Sequence, residues 1–149
     1  MKKVFFGCSM RGGQAKVSRE ELAKFPQMIQ ALGYTLPSTH QTEEGIVERE
    51  QALTTTHIHD RDYEWLLESR AGVFEITNSS IGAGGEISDM LSLGKPVLCL
   101  YKKSEENSVS AYCRGKKGSR YVKTYFDAYG YEDVEDAKNK IKSFLEHVM

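Results

Sequence analysis

No apolar run in the 149-residue chain approaches the roughly 18 residues of a membrane-spanning helix, so no membrane partner is expected. Neither sign of charge dominates, with 20 Lys and Arg against 21 Asp and Glu. A dedicated nucleic-acid binder would carry a strong basic excess, so nucleic acid is not an expected partner either. Cysteine is sparse and odd in number (Cys8, Cys99, Cys113), without a C-x-x-C pair. That argues against a disulfide framework and for reduced thiols, hence a cytoplasmic setting. The apolar stretch after Lys2 and Lys3 is only one strand long, too short for the core of a secretion signal. His40, His57, His59 and His147 show no metal-ligand spacing, so no metal or cofactor is expected. No repeat, low-complexity tract or linker breaks the chain, and residues 1–149 read as one domain.

Short apolar runs alternate with longer helical periods. Val4-Phe5-Phe6 reads as a buried strand ending at Gly7. Ser18 followed by Glu21 forms a capping box that opens a helix running to Leu32 and stopping at Gly33, with Pro26 as a potential kink. Tyr34-Thr35-Leu36 fits a second strand, and the polar stretch 38–51 reads as a long loop of the kind that covers binding sites. A helix over 57–69 takes its N-cap from the Thr54-Thr55-Thr56 run. Then follow a strand at 71–76, a Gly-rich turn at 79–85, a helix ending near Gly94, and a strand at 95–101. A fifth strand is expected at 121–126. Val134 to Val148 closes the chain as an amphipathic helix with Val134, Ala137, Ile141, Phe144 or Leu145, and Val148 on one stripe. This alternation predicts an α/β, three-layer fold around a five-stranded parallel sheet, whose ligands bind beyond the carboxyl ends of the strands.

Two loops and two acids stand at that edge. Gly7-Cys8-Ser9-Met10-Arg11-Gly12-Gly13 can bring backbone amides and an Arg fork to an anion. It is not a Walker loop, since Gln14 follows Gly13, and not a nucleophile elbow, since Arg11 stands where Gly is needed. Nor is it a phosphatase loop, which would need Arg at position 14. Ser79-Ser80-Ile81-Gly82-Ala83-Gly84-Gly85-Glu86 offers hydroxyls and amides as a second cradle. Asp62 lies four residues from both Ile58 and Leu66, on the buried stripe of its helix. Glu86 shares a face with Met90 and Leu93. Buried carboxylates are normally paired, hydrogen-bonded or functional. Paired acids beside phosphate cradles suit cleavage of a glycosidic bond in a phosphorylated sugar, one attacking or stabilising the anomeric carbon while the other donates or steers a proton. The run Arg114, Lys116, Lys117, Arg120 and Lys123 reads as a solvated loop.

Five ordered blocks resemble the 2'-deoxynucleoside 5'-monophosphate N-glycosidases, relatives of the nucleoside 2-deoxyribosyltransferases. The blocks are Phe5-Phe6-Gly7-Cys8-Ser9-Met10-Arg11-Gly12-Gly13; Ile58-His59-Asp60-Arg61-Asp62-Tyr63-Glu64-Trp65-Leu66; Glu75-Ile76-Thr77 with Ser80, Gly82, Gly84 and Glu86; Leu93 to Leu100; and Ser110-Ala111 with Arg114-Gly115. The resemblance implies a flavodoxin-like or Rossmann-like (nucleoside 2-deoxyribosyltransferase-like) fold. It implies that Glu86 is a nucleophile forming a glycosyl-enzyme and that Asp62 assists at the base and sugar. It places Phe5 and Gly7 at the substrate, and Ser9, Arg11, Ser80 and Gly82 at the 5'-phosphate. It also implies that Ser110 reaches the site of a second copy, and so a homodimer. Phe5 stands where the deoxynucleotide hydrolases carry Tyr and where related hydrolases of pyrimidine ribonucleotides carry Phe, so both sugars stay open. Gly85 and Ser88 replace the family's common Tyr and Gly. The expected activity is hydrolysis of nucleoside 5'-monophosphates. Transfer of the sugar to another base and a non-catalytic nucleotide sensor are the alternatives.

Overall fold

A computed structural model describes residues 2–9, 15–37 and 45–149. The expected Arg11, Gly12 and Gly13 of the first loop lie outside these residues, as does His40. Four strands, β1 (Val4–Cys8), β2 (Ala71–Glu75), β3 (Val97–Lys102) and β4 (Phe126–Tyr131), form a parallel sheet in the order β1-β2-β3-β4. β1 and β2 are buried at every position, as strands covered on both faces must be, which is why they read as continuous apolar runs rather than alternating ones.

Helices α1 (Arg19–Ala31) and α6 (Val134–Val148) cover one face. There Phe25, Ile29, Ile141, Phe144 and Leu145 pack on Val4, Phe6, Val73, Leu98 and Leu100. α3 (Thr55–Glu68) and α4 (Ile81–Ser92) cover the other face together with the stretch through Val109, Cys113 and Val122. Phe5, Phe74, Val97 and Cys99 point to that side and meet Leu66, Ala83, Ile87 and Met90. A short helix α2 (Ile46–Gln51) and a one-turn helix α5 (Ala111–Arg114) complete the helices, with a 3-10 segment over Lys103–Ser108.

Local signals set most boundaries. Ser18 and Glu21 make both hydrogen bonds of the capping box. Thr54 caps α3 by accepting from the His57 amide. Pro26 sits buried inside α1 without ending it.

Two strands depart from expectation. Tyr34-Thr35-Leu36 makes only an isolated parallel bridge, Thr35 to Lys3, so the described sheet has four strands rather than five. Only three residues separate Gly33, at φ 97°, from Pro37, whose ring removes a donor, so there is no room for a longer ladder. The last strand is Phe126–Tyr131, not 121–126. Phe126, Ala128 and Tyr131 are buried, whereas Tyr121 is 76% exposed, so the apolar residues of 121–125 were a false strand signal.

The bridge at Thr35 lies on one side of β1 and β2 lies on the other, while α1 and α4 leave the sheet on opposite faces. Such a switch point opens a crevice outside the carboxyl ends of the two strands.

Candidate active site

That crevice is a cleft of about 900 Å³ lined by Cys8 and Ser9 after β1, Asn78 to Gly84 after β2, Asp62 of α3, Glu86 of α4, and Ser110, Tyr112 and Lys116. Its size suits a nucleotide-sized ligand. Ser9, Asp62, Ser80, Gly82, Glu86 and Ser110 are therefore brought together. Arg11 lies outside the described residues. Phe5 and Gly7 lie behind the wall: Phe5 is fully buried against the Phe74 ring, with centroids 5.6 Å apart. A Cβ on Gly7 would stand 2.5 Å from two atoms of that ring. Packing alone thus requires glycine at position 7. Gly7→Ala is expected to lower stability by about 1–3 kcal/mol, read as a drop in melting temperature.

The second cradle is built differently from the expected turn. α4 begins at Ile81, so Gly82, Gly84 and Gly85 are helical residues rather than loop residues. Ser80 supplies the start signal, its hydroxyl accepting from the Ala83 amide at 3.1 Å. Burial of Ala83, Ile87 and Met90 on the sheet holds a helix whose glycines each cost about 1 kcal/mol against alanine. The missing side chains leave the α4 N-terminus open to the cleft, where its unpaired amides and dipole favour an anion. Ser110 plays the same capping part for α5, accepting from the Cys113 amide, and in this single chain it faces the same cleft as Ser80.

Glu86 is the electrostatic centre. Its carboxyl is pushed up to about 8, first by burial, then by the charges of Asp62 and Asp89, with Arg61 pulling the other way. A strongly perturbed acid lining a cleft is a candidate functional group. Cys8 beside it is no nucleophile: burial, then Glu75 and Glu86, raise its thiol to about 12. All three cysteines are free. Glu75 is satisfied structurally, accepting from the Thr77 amide and hydroxyl and from the Tyr131 hydroxyl. Among the described residues no cluster of His, Cys, Asp and Glu could hold a metal ion.

Asp62 is not a bare acid. Arg61 donates to its Oδ1 from Nε at 3.0 Å and from Nη2 at 2.8 Å. The same guanidinium forks onto Glu50 of α2, Nη1 to Oε2 at 3.0 Å and Nη2 to Oε1 at 2.6 Å. Sequence reading missed this clamp, because Glu50 falls in the stretch taken as a loop and becomes helical only by docking Ile46 and Glu50 inward. It also missed Asn78, which lines the cleft and holds the chain after the first loop. The Asn78 Oδ1 accepts from the Lys16 and Val17 amides and its Nδ2 donates to the Val17 carbonyl. An Asn three residues past the end of β2 was the available signal.

No family model matches the chain. A protein of Thermofilum pendens named 2'-deoxynucleoside 5'-phosphate N-hydrolase 1 is 32% identical over 146 residues, covering 96% of this chain and 94% of that one. The 5-hydroxymethyl-dUMP N-hydrolase of Mus musculus is 34% identical over 137 residues, covering 89% and 75%. The chain belongs to the 2'-deoxynucleoside 5'-phosphate N-hydrolase family. A namesake in Nematostella vectensis is 34% identical over 142 residues, covering 91% of this chain and 90% of its own. The solution structure of BlsM superposes with a TM-score of 0.69 over 99% of this chain and 91% of its own, at 20% identity. That likeness shows the Rossmann-like α/β fold. No helix among the described residues is long and apolar enough to cross a membrane.

Proposed function

We propose that this N-hydrolase family member cleaves the N-glycosidic bond of (deoxy)ribonucleoside 5'-monophosphates, freeing the base and (deoxy)ribose 5-phosphate. The observation that carries the reading is the meeting of Glu86 and Asp62 in one cleft beside the open N-terminus of α4. In the first step the ionised Glu86 carboxylate attacks C1'. The bond from C1' to the base nitrogen breaks, its electron pair leaves with the base, and the base takes a proton from solvent. In the second step water attacks C1', Asp62 takes the water's proton, and the Glu86 carboxylate departs. Asp62 then returns its proton to solvent. Ser80, Gly82, Ser9 and Arg11 receive the 5'-phosphate; Ser110 lines the cleft of its own chain, and in the homodimer we propose it also reaches the phosphate site of the second copy.

Because a phosphate site with no phosphate leaves buried donors unpaired, the 5'-phosphate should matter strongly. A base-release assay over ribo- and deoxynucleotides, each with and without the 5'-phosphate, tests this. Monophosphates are expected to exceed their nucleosides in kcat/KM by roughly 10²-fold or more. Equal rates with nucleosides would favour the transferase reading, and tight binding without base release would favour the sensor.

A further inference from the structure

We infer that Arg61, held in place by Glu50, is a positioning residue that fixes one oxygen of Asp62 and leaves the other for the reacting water. The inference rests on the assignment of Asp62 and Glu86 as the reacting carboxylates, and it concerns two residues outside that pair. Both Arg61 donors that reach Asp62 converge on Oδ1. The remaining bonds of the fork run to a Glu50 carboxylate whose side chain is only 5% exposed. The guanidinium also stacks 4.6 Å above the Trp65 ring on the next turn of α3. A planar cation gripped on two edges and one face cannot follow Asp62 if it turns, so Asp62 is held instead. Lysine could supply the charge but not the fork.

The clamp also acts on Glu86 at longer range. The charged and titratable groups around Glu86 are Asp62 and Arg61 from α3, Asp89 on its own helix, Cys8 from β1, and Tyr112, Cys113 and Lys116 along the cleft. Of the charges that perturb its carboxyl, Arg61 is the one that favours the ionised form. The clamp therefore has two separable effects, the geometry of Asp62 and the ionisation of Glu86. A merely structural ion pair between α2 and α3 would have neither.

The experiment compares Arg61→Gln, Arg61→Lys and Glu50→Gln with the unaltered protein, measuring kcat, KM and the pH profile of kcat/KM for monophosphate hydrolysis, with folding checked by circular dichroism. Arg61→Gln is expected to lower kcat on the order of 10²-fold, the scale of a misplaced catalytic group, with KM changed much less. Its acid limb should move to higher pH, because the cation beside Glu86 is gone. Arg61→Lys should return the acid limb towards its original position while kcat stays low. Glu50→Gln should lower kcat without moving KM, since it loosens the guanidinium without removing it. A folded Arg61→Gln variant with unchanged kcat and profile overturns the inference, as does full recovery of kcat by lysine. If Arg61→Gln does not fold, the lysine and Glu50 variants decide the matter alone, and unchanged kcat in both overturns it. Asp62→Asn separates the two levels. Full turnover in that variant overturns the assignment of Asp62 and this inference with it. A slow Asp62→Asn beside a fully active Arg61→Gln overturns the inference alone.

Discussion

Glu86→Gln is expected to abolish base release, lowering kcat roughly 10³-fold or more while the monophosphate still binds, because an amide cannot form the bond to C1'. In the unaltered protein Glu86 must be ionised to attack, and its carboxyl sits at about 8. The pH profile of kcat/KM, which reports the free enzyme, should rise through the neutral range, reach half its maximum near 8 and level off above it. The same displacement sets a stability effect whose sign can be worked out. Between the ordinary value of 4.5 and about 8, the folded protein keeps a proton that the unfolded chain has released. Stability therefore falls as pH rises through that window, and the whole contribution is lost above it. The glutamine variant has no such slope. Relative to the unaltered protein it should gain on the order of 2–4 kcal/mol between pH 5 and pH 9, seen as a widening difference in melting temperature. An inactive variant that is more stable at alkaline pH is the mark of a carboxylate held for chemistry rather than for folding. Retained turnover would remove Glu86 from the mechanism. A constant melting difference across pH would mean that its environment is not the one described.

β1, β2 and β3 were legible because they are buried on both faces and leave apolar runs, whereas β4, broken by Asp127 and Gly130 and half-buried at Tyr129 and Gly130, was misplaced. The helices were legible because Ser18, Thr54 and Ser80 are strong caps. The errors came where local pattern and tertiary packing disagree. Tyr34-Thr35-Leu36 has strand composition but is confined between Gly33 and Pro37. Gly82, Gly84 and Gly85 read as a turn, yet one capping serine and an apolar face hold them in a helix. At the site, Asp62 and Glu86 could be placed from helical spacing, which needs only the period of the helix. Phe5 and Gly7, which the resemblance places at the substrate, pack on the Phe74 ring behind the cleft lining, since β1 is buried on both faces and only Cys8 and Ser9 at its end reach the cleft. The Glu50–Arg61–Asp62 clamp was out of reach, because it depends on how α2 docks on α3, and no periodicity records that.

Asp62→Asn is expected to separate the two halves of the reaction. The bond between Glu86 and C1' can still form, since Glu86 and the leaving base are intact. Water, however, is a poor nucleophile unless a base takes its proton as it attacks. The glycosyl-enzyme should then accumulate. Rapid mixing should show a burst of free base close to one per site, followed by a steady rate lowered about 10²–10⁴-fold, the usual contribution of a general base. The geometry favours this role, because both Arg61 donors sit on Oδ1 and leave Oδ2 to accept from water. Azide gives the sharper test. It carries its charge already and needs no base, so it should speed the slow phase of Asp62→Asn and yield a glycosyl azide. It should leave Glu86→Gln inactive, since no glycosyl-enzyme forms there to be trapped. A slow variant with neither burst nor azide acceleration would place Asp62 in the first step instead, and the proton it handles would then be that of the departing base.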